Sequence, residues 1–304
     1  MPLRPDADAR TNADVTIVIG SRDRRECLLA SLPHHLALPE RPAVILVDDA
    51  SSDGSADAVE AAFPQVKVIR RATSAGGAAR NDGIAAARTP YVALADDDSW
   101  YAPGALARAT AIFDADPRLG AINAHVLVDA GRRDDPTCLE MATSPLRPAP
   151  GQAGRPVLSF IACGTIVRRK AVLEAGGFDA RLGIGGEEEL LAWDMATRGW
   201  LMSYVPQVIA HHDPPPNDGR PERRERGIRN TLWTTWLRSP AGAALRRTLR
   251  TLPRLPRDRH TARALRQAVA GLPWLARERR ALPPAIEQRV RMLEDDQLRQ
   301  RDYA

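Results

Sequence analysis

An α/β fold is predicted for this chain: a mostly parallel sheet flanked by helices, followed by a helical C-terminal extension. Three observations lead there. Short apolar or β-branched runs alternate with helix-patterned stretches in the order βαβαβαβ through Ala115. Three of those runs end in Gly20, in Asp48-Asp49 and in Asp96-Asp97-Asp98, at the strand ends where such sheets gather ligands. Beyond residue 220 the chain turns Arg-rich, helical in pattern and punctuated by prolines.

The elements follow in order. Val15–Ile19 (VTIVI) is a β-branched run closed by Gly20, hence strand one. Arg22–Leu38 carries apolar residues at helical spacing, with breaks expected at Pro33 and Pro39. Ala43–Val47 (AVILV) is strand two. A helix is expected from the stretch 51–63, with Asp53 or Ser55 as its N-cap. Val66–Ile69 is strand three, Gly76–Ala87 a glycine-led, Ala-rich helix, and Tyr91–Ala95 strand four. A helix follows over Pro103–Ala115, with Pro103 in its first turn. In the second half, Ala121–Val128 reads as a strand and 144–156 as a Pro/Gly-rich loop. Val157–Val167 reads as a strand broken at Cys163-Gly164, and Arg169–Ala175 as a helix closed by Gly176-Gly177. The stretch 183–186 (GIGG) leads into a helix over Glu187–Thr197, ended by Gly199. Met202–Val205 and Val208–Ala210 are expected to be short strands, and 211–227 a linker.

Composition narrows the classes. The 304 residues carry a net charge of +5. Residues 220–304 hold 21 arginines against 9 acidic residues, a net of +12, so the rest of the chain stands at −7. A basic tail on an acidic body suits an anionic partner such as a membrane surface, or is a solvated helical face. No apolar run approaches the roughly 18 residues of a membrane helix. The first 14 residues lack the apolar core of a signal peptide, so a short disordered tail (1–13) and a cytoplasmic location are expected. Cys27, Cys138 and Cys163 fit neither a disulfide framework nor a zinc spacing.

The chemistry concentrates in carboxylates. Asp96, Asp97 and Asp98 repel one another, and such a cluster needs either full solvation or a cation. Glu187-Glu188-Glu189 opens a helix after a glycine loop. Glycines permit close approach of backbone to a ligand, and the helix dipole favours an ionised carboxylate in the first turn. That suits a general base; ordinary acidic enrichment of a first turn is the competing reading. His211 and His212 end the last strand, as metal ligands or as exposed turn residues.

Four segments, VTIVIGSRDR (15–24), VILVDDASSDGS (44–55), GGAARNDGI (76–84) and ALADDDSWY (93–101), occur in an order and spacing that strongly resemble the family 2 glycosyltransferases of the GT-A fold. A fifth, 176–200, is similar to that family's acceptor-side motif, and the resemblance spans roughly residues 14–213. It implies a Rossmann-like GT-A catalytic domain over 14–213, with a nucleotide-sugar half (14–122) and an acceptor half (123–213), and a basic extension over 214–304. It implies an inverting, metal-dependent transfer of a sugar from a nucleotide donor to an acceptor hydroxyl.

Residue by residue, it implies that Gly20, Ser21, Asp23, Asp48, Asp49, Arg80, Asp96 and Asp97 hold the donor, one of Asp48 and Asp49 receiving the N–H of the base. Asp96 and Asp98 match the DxD motif, which places Mn2+ or Mg2+ against the diphosphate; hard oxygen ligands fit that task. His211, preferred over His212 because it ends the strand, completes the metal set. Glu188, or Glu187, is the base; the family carries Glu-Asp here and this chain Glu-Glu, so the role also extends to Glu189. Arg22 replaces an aromatic of the family's first motif. Trp100 and Tyr101 line the acceptor side or pack the following helix.

The expected partners are a UDP-, GDP- or dTDP-sugar and a sugar or lipid-linked acceptor, with no nucleic acid. The setting the resemblance implies is bacterial cell-surface polysaccharide, glycolipid or secondary-metabolite glycosylation. The segment 225–237 is expected to dock Leu232, Trp233, Trp236 and Leu237 on the catalytic domain. The later basic helices either fold back, pair with a second subunit, or lie on a membrane. A non-catalytic homologue is the alternative. A sugar nucleotidylyltransferase would want a glycine-rich phosphate loop that 20–27 lacks. A processive synthase would carry Gln-x-x-Arg-Trp, which is absent.

Overall fold

The computed structural model describes residues 14–129, 131, 133–214 and 221–302. The tail expected over 1–13 and residues 215–220 of the linker lie outside them.

The first half runs β1 (Val15–Ser21), α1 (Arg25–Leu36), β2 (Ala43–Asp48), α2 (Ser55–Ala62), β3 (Lys67–Arg70), α3 (Arg80–Ala86), β4 (Tyr91–Ala95), β5 (Ser99–Tyr101) and α4 (Ala105–Ala115). The second runs β6 (Leu119–Val128), β7 (Arg133–Asp134), α5 (Pro136–Ala142), β8 (Arg155–Pro156), β9 (Thr165–Arg168), α6 (Arg169–Ala175), α7 (Glu187–Thr197) and β10 (Leu201–His212). The extension is helical: α8 (Pro221–Arg238), α9 (Ala241–Thr251), α10 (Arg259–Ala270), α11 (Leu272–Glu278) and α12 (Pro284–Asp302).

One mixed sheet has the strand order β3-β2-β1-β4-β9-β6-β10-β5. β1 pairs parallel with both β2 and β4, Ser21 lying beside Asp48 and Ile19 beside Ala95. This register sets the loops after β1, β2 and β4 side by side at one edge. β9 enters antiparallel between β4 and β6. The strand expected over Val157–Val167 is therefore only Thr165–Arg168. Residues 157–161 are mostly buried yet irregular, and Ala162–Gly164 is a 3-10 turn. A continuous apolar run reports burial, and burial alone does not make a strand.

Other differences are local. The helix expected to break at Pro33 continues through it to Leu36, with Leu28, Leu32 and His35 buried on its inner side. Residues 76–79 form a 3-10 turn ahead of α3. Pro103 lies outside α4, which starts after left-handed Gly104. Neither Asp53 nor Ser55 is the N-cap of α2; Gly54 holds that position, while Asp53 accepts the N–H groups of Ser55 and Arg25. The two short strands after residue 201 are one strand, β10, whose register shifts between Val205 and Ile209. Pro206 sits in that irregularity, where its missing N–H costs no ladder bond. β5, unforeseen, pairs antiparallel with the end of β10 and brings His211 opposite Trp100 and His212 opposite Ser99.

The extension folds back on the body, as the first of its three expected readings had it. Leu232, Trp233 and Leu237 of α8 share a buried cluster with Leu182, Leu190, Ala268 and Leu275. Leu282 and Val290 join the main core. The helix α8 starts within the stretch expected to be linker. Among the described residues no helix is long and apolar enough to cross a membrane.

Candidate active site

The loops after β1, β2 and β4 carry ten consecutive or near-neighbour polar groups, and the structure divides them into braces and open groups. Asp49 is a brace. Its carboxylate accepts Ser74 Oγ (2.6 Å), Ala75 N (2.8 Å) and Gly76 N (2.9 Å), and Arg71 Nε lies at 3.3 Å. It thereby shapes the loop that delivers Gly76 and Gly77. Asp23, in left-handed backbone (φ 53), accepts Ser52 N and Oγ and ties the first loop to the second. Ser21 donates to Asp97 (2.7 Å), tying the first loop to the third. Asp48 differs: it is buried, and its Oδ1 has no hydrogen-bond partner. A buried carboxylate oxygen without a donor is a costly arrangement that a bound N–H relieves.

The three aspartates after β4 are not left to solvent. Side-chain cations reach all three. Arg24 Nε lies 3.1 Å from Asp97 and its Nη2 2.9 Å from Asp98. Arg80 Nη2 bonds Asp96, and His212 Nε2 lies 3.3 Å from Asp98 Oδ1. Arg24 was not foreseen; its spacing in the first motif carries no signal for a contact 73 residues away. Gly20 matters here, because a Cβ on it would stand 3.2 Å from the Arg80 side chain that crosses it.

Burial pushes the Asp97 carboxyl up to about 6, against the Ser21 hydrogen bond. Burial raises Asp98 too, but the His212 hydrogen bond and charge, with Arg24, more than offset it and leave Asp98 below the ordinary value. Burial lowers His212, and the Asp98 contact outweighs that and raises it. Burial works against the Arg80 charge as well, and Asp96, Glu187 and Glu188 more than restore it.

The structure sets His212, rather than the preferred His211, before the aspartates. Successive residues of a strand face opposite ways, so His211 turns away and stacks on Trp100 (5.6 Å), which stacks on His34 (4.3 Å). Tyr101 is a core residue, fully buried with its hydroxyl on Leu94 O (2.7 Å). Ligand atoms of Asp96, His212 and Cys163 all lie within 4.8 Å of one another. A carboxylate, an imidazole and a thiol converging in this way fit a divalent metal.

The glutamates reach the same place from the other half. The glycine loop before α7 approaches the protein's own backbone: Gly77 N donates to Gly183 O (2.8 Å), and a Cβ on Gly76 would stand 2.8 Å from Gly183. Glu187 is buried, accepts the N–H of Gly185 and packs against Gly77, where a Cβ would meet its Oε1 at 2.4 Å. Asn81 couples the halves further, bonding both Phe178 N (2.9 Å) and Phe178 O (2.8 Å). Glu188 is partly buried. Burial, then the adjacent Glu187 charge, push it up to about 8 against the pull of Arg80. The sequence-based expectation that the helix dipole keeps this carboxylate ionised near neutral pH is opposed by burial and by the Glu187 charge. Glu189 looks elsewhere: burial and Glu294 push it up to about 7, with Arg247 opposing.

The family model for glycosyl transferase family 2 matches residues 16–177, more than half of the chain. The chain belongs to that family. A pre-mycofactocin glycosyltransferase of Mycobacterium tuberculosis is 30% identical over 211 residues, 67% of this chain and 43% of that protein. The succinoglycan biosynthesis protein ExoU of Rhizobium meliloti is 32% identical over 102 residues, 32% of this chain and 30% of its own length. The chain thus spans less than half the length of these curated relatives. Among solved structures, the mannosyltransferase PcManGT from Pyrobaculum calidifontis, in complex with GDP-Man and Mn2+, aligns with a TM-score of 0.59 at 19% identity, over 90% of this chain and 75% of that one. S. aureus TarS 1-349 with UDP-GlcNAc aligns at 0.54 and 15% identity, over 73% and 66%. These likenesses establish the GT-A fold.

Within this family 2 chain the extension supplies a residue that sequence patterns did not single out. Asn230 of α8 is fully buried and donates to Leu182 O (2.9 Å) and Gly185 O (2.6 Å). Arg229 adds a bond to Leu182 O (2.8 Å). The loop that presents Glu187 and Glu188 is thus pinned from the C-terminal helices. Asn230→Ala removes both donations, leaving Leu182 O to Arg229 and taking from Gly185 O its Asn230 donor. It is expected to lower the unfolding free energy by about 1–3 kcal/mol and to speed amide exchange in residues 183–187. Denaturant unfolding and hydrogen-exchange mass spectrometry check both; an unchanged exchange rate removes the pinning role.

Proposed function

We propose that this chain is a metal-dependent, inverting glycosyltransferase that moves a sugar from a nucleotide-sugar to an acceptor hydroxyl. The observation that carries the reading is the convergence of Asp96, Asp98, Arg80 and His212 with Glu187 and Glu188 at one edge of the sheet. A complex with GDP-Man and Mn2+ in one structural neighbour and with UDP-GlcNAc in another supports it.

The roles follow from what each group has left to offer. Asp48 Oδ1 receives the N–H of the base. Arg80, kept cationic by three carboxylates, faces the diphosphate. Asp96, Asp98 and His212 hold a divalent metal, Mn2+ or Mg2+, which when bound neutralises charge developing on the departing diphosphate. Glu188 accepts the proton of the acceptor hydroxyl as its oxygen attacks the anomeric carbon, and the C–O bond to the diphosphate breaks in the same step. Attack opposite the leaving group inverts the anomeric centre. Glu187, locked on Gly185 and Gly77, keeps Glu188 in place and raises its basicity by its charge.

The acceptor is a sugar or lipid-linked hydroxyl, in cell-surface polysaccharide, glycolipid or secondary-metabolite assembly. The exposed Leu245, Leu249 and Leu252, interspersed with Arg246, Arg250 and Arg254, support contact with an anionic membrane surface.

The test is release of nucleoside diphosphate from a panel of UDP-, GDP- and dTDP-sugars, with Mn2+, Mg2+ or a chelator, in the presence of anionic or neutral vesicles. Turnover of one donor that chelation abolishes is the expected result, with the protein co-sedimenting on anionic vesicles only. Absence of both turnover and metal-dependent nucleotide binding overturns the reading in favour of a non-catalytic homologue. Turnover without vesicle binding overturns the membrane contact alone.

A further inference from the structure

Cys163 fits no metal spacing in the sequence, and the fold changes its standing. It lies in the 3-10 turn Ala162–Gly164, between irregular chain and β9. Gly164 fixes that turn, because a Cβ there would stand 2.5 Å from Val126 Cγ2. Thr165 fixes it from the other side, bonding Asn123 Oδ1 (3.0 Å) and Ile161 O (2.6 Å). The residue is only 7% exposed. A buried cysteine ordinarily behaves as a small hydrophobe. Cys138 shows that pattern with its sulfur satisfied, accepting Val126 N (3.2 Å) and donating to Ala124 O (3.7 Å). Cys163 lies near Asp96, Asp135 and Asp98, and burial together with their charges pushes its thiol well up. Its sulfur, a carboxylate oxygen of Asp96 and a ring nitrogen of His212 lie within 4.8 Å of one another. That is close to the span across a single ion whose donors stand at roughly 2.0–2.3 Å from it.

We propose that the Cys163 sulfur joins Asp96 and His212 as a ligand of the divalent metal, and that the resulting S, N and O donor set favours transition-metal dications over Mg2+. The inference rests on the metal-dependent reading above and deepens it. Mg2+ asks for oxygen donors in near-octahedral array and keeps its waters. Thiolate and imidazole suit Co2+ and Zn2+. On ligation the thiol gives its proton to solvent and the sulfur lone pair to the metal, with no change of oxidation state. Arg80 bonds one oxygen of Asp96, so the guanidinium and a bound metal would act on the same carboxylate.

The experiment uses the full chain and Co2+ alone, without donor. A Cys27→Ser/Cys138→Ser background leaves Cys163 as the only thiol, since the chain has three cysteines. Co2+ affinity is read by equilibrium dialysis, and sulfur ligation by the near-ultraviolet thiolate-to-cobalt charge-transfer band. The band is expected to saturate at one Co2+ per chain and to vanish in Cys163→Ser. That variant and Cys163→Ala are expected to bind Co2+ about tenfold or more weakly, while Mg2+ affinity stays within about twofold. Co2+ binding without the band, or undiminished binding in both variants, overturns the inference and leaves Cys163 a packing residue with the metal reading intact. No Co2+ or Mn2+ binding by the parent chain overturns the metal reading itself.

Discussion

Glu188→Gln is expected to lower transfer to acceptor by about 10²–10⁴-fold while leaving donor and metal binding within about twofold of the parent. The amide keeps the size of the side chain and the neighbourhood of Glu187, Arg80 and Asp96, and removes only the group that takes the proton. Because burial and Glu187 push Glu188 up to about 8, the parent's acid limb should rise through that region, and the Gln variant should lose the limb.

The stability effect has the opposite sign. A carboxyl whose folded value lies above its unfolded value contributes stability that is complete below the ordinary glutamate range and is lost as pH rises through about 8. Glu188→Gln should therefore have a higher Tm than the parent above pH 8 and an equal one near pH 5. Initial rates and thermal melts across that range check both. A Gln variant that keeps full transfer activity moves the role to Glu187. Glu189→Gln serves as the comparison: Glu189 faces Glu294 and Arg247, so its loss should leave transfer intact.

Asp98→Ala is expected to reduce metal-stimulated donor turnover by about 10²–10³-fold, equivalent to about 3–4 kcal/mol of transition-state stabilisation. Asp98 stands below the ordinary aspartate value because the His212 hydrogen bond and charge, with Arg24, outweigh its burial. Its removal takes a charged donor from the clamp and frees Arg24 from one of its two carboxylates. Metal affinity should fall with turnover, and excess metal should restore part of the rate. The overall fold should persist, since Arg24 keeps Asp97 and His212 remains paired in β10 with β5. Mn2+ titration beside the rate measurement separates the cases; turnover that falls with unchanged Mn2+ affinity assigns Asp98 to orienting Arg24.

Much of this was legible locally. The runs 15–19, 43–47 and 91–95 are β-branched or apolar and bounded by glycine and aspartate, and each became a strand of the parallel half. Gly176-Gly177 and Gly199 end their helices in left-handed backbone, a conformation a side chain disfavours, so their positions were readable too. The family membership followed from five motifs in order.

Pairwise contacts were not legible, because they depend on which strands and loops the packing sets side by side. Asp48 and Asp49 are chemically identical neighbours, yet only the fold makes one a brace for residues 74–76 and leaves the other with a bare oxygen. His211 and His212 differ by one position in a strand; pairing with β5 and β6 decided which faces Asp98. Arg24, Cys163 and Asn230 carry no local signal. Each lies beside residues tens of positions away, through a register or a helix docking that only the collapsed core specifies. Short-range pattern therefore settled the parallel strands of the first half, the strand-end carboxylates and the family. Long-range packing decided which of those carboxylates are paired, which are open, and which side chains surround the open ones, since charge and burial are properties of neighbours in space.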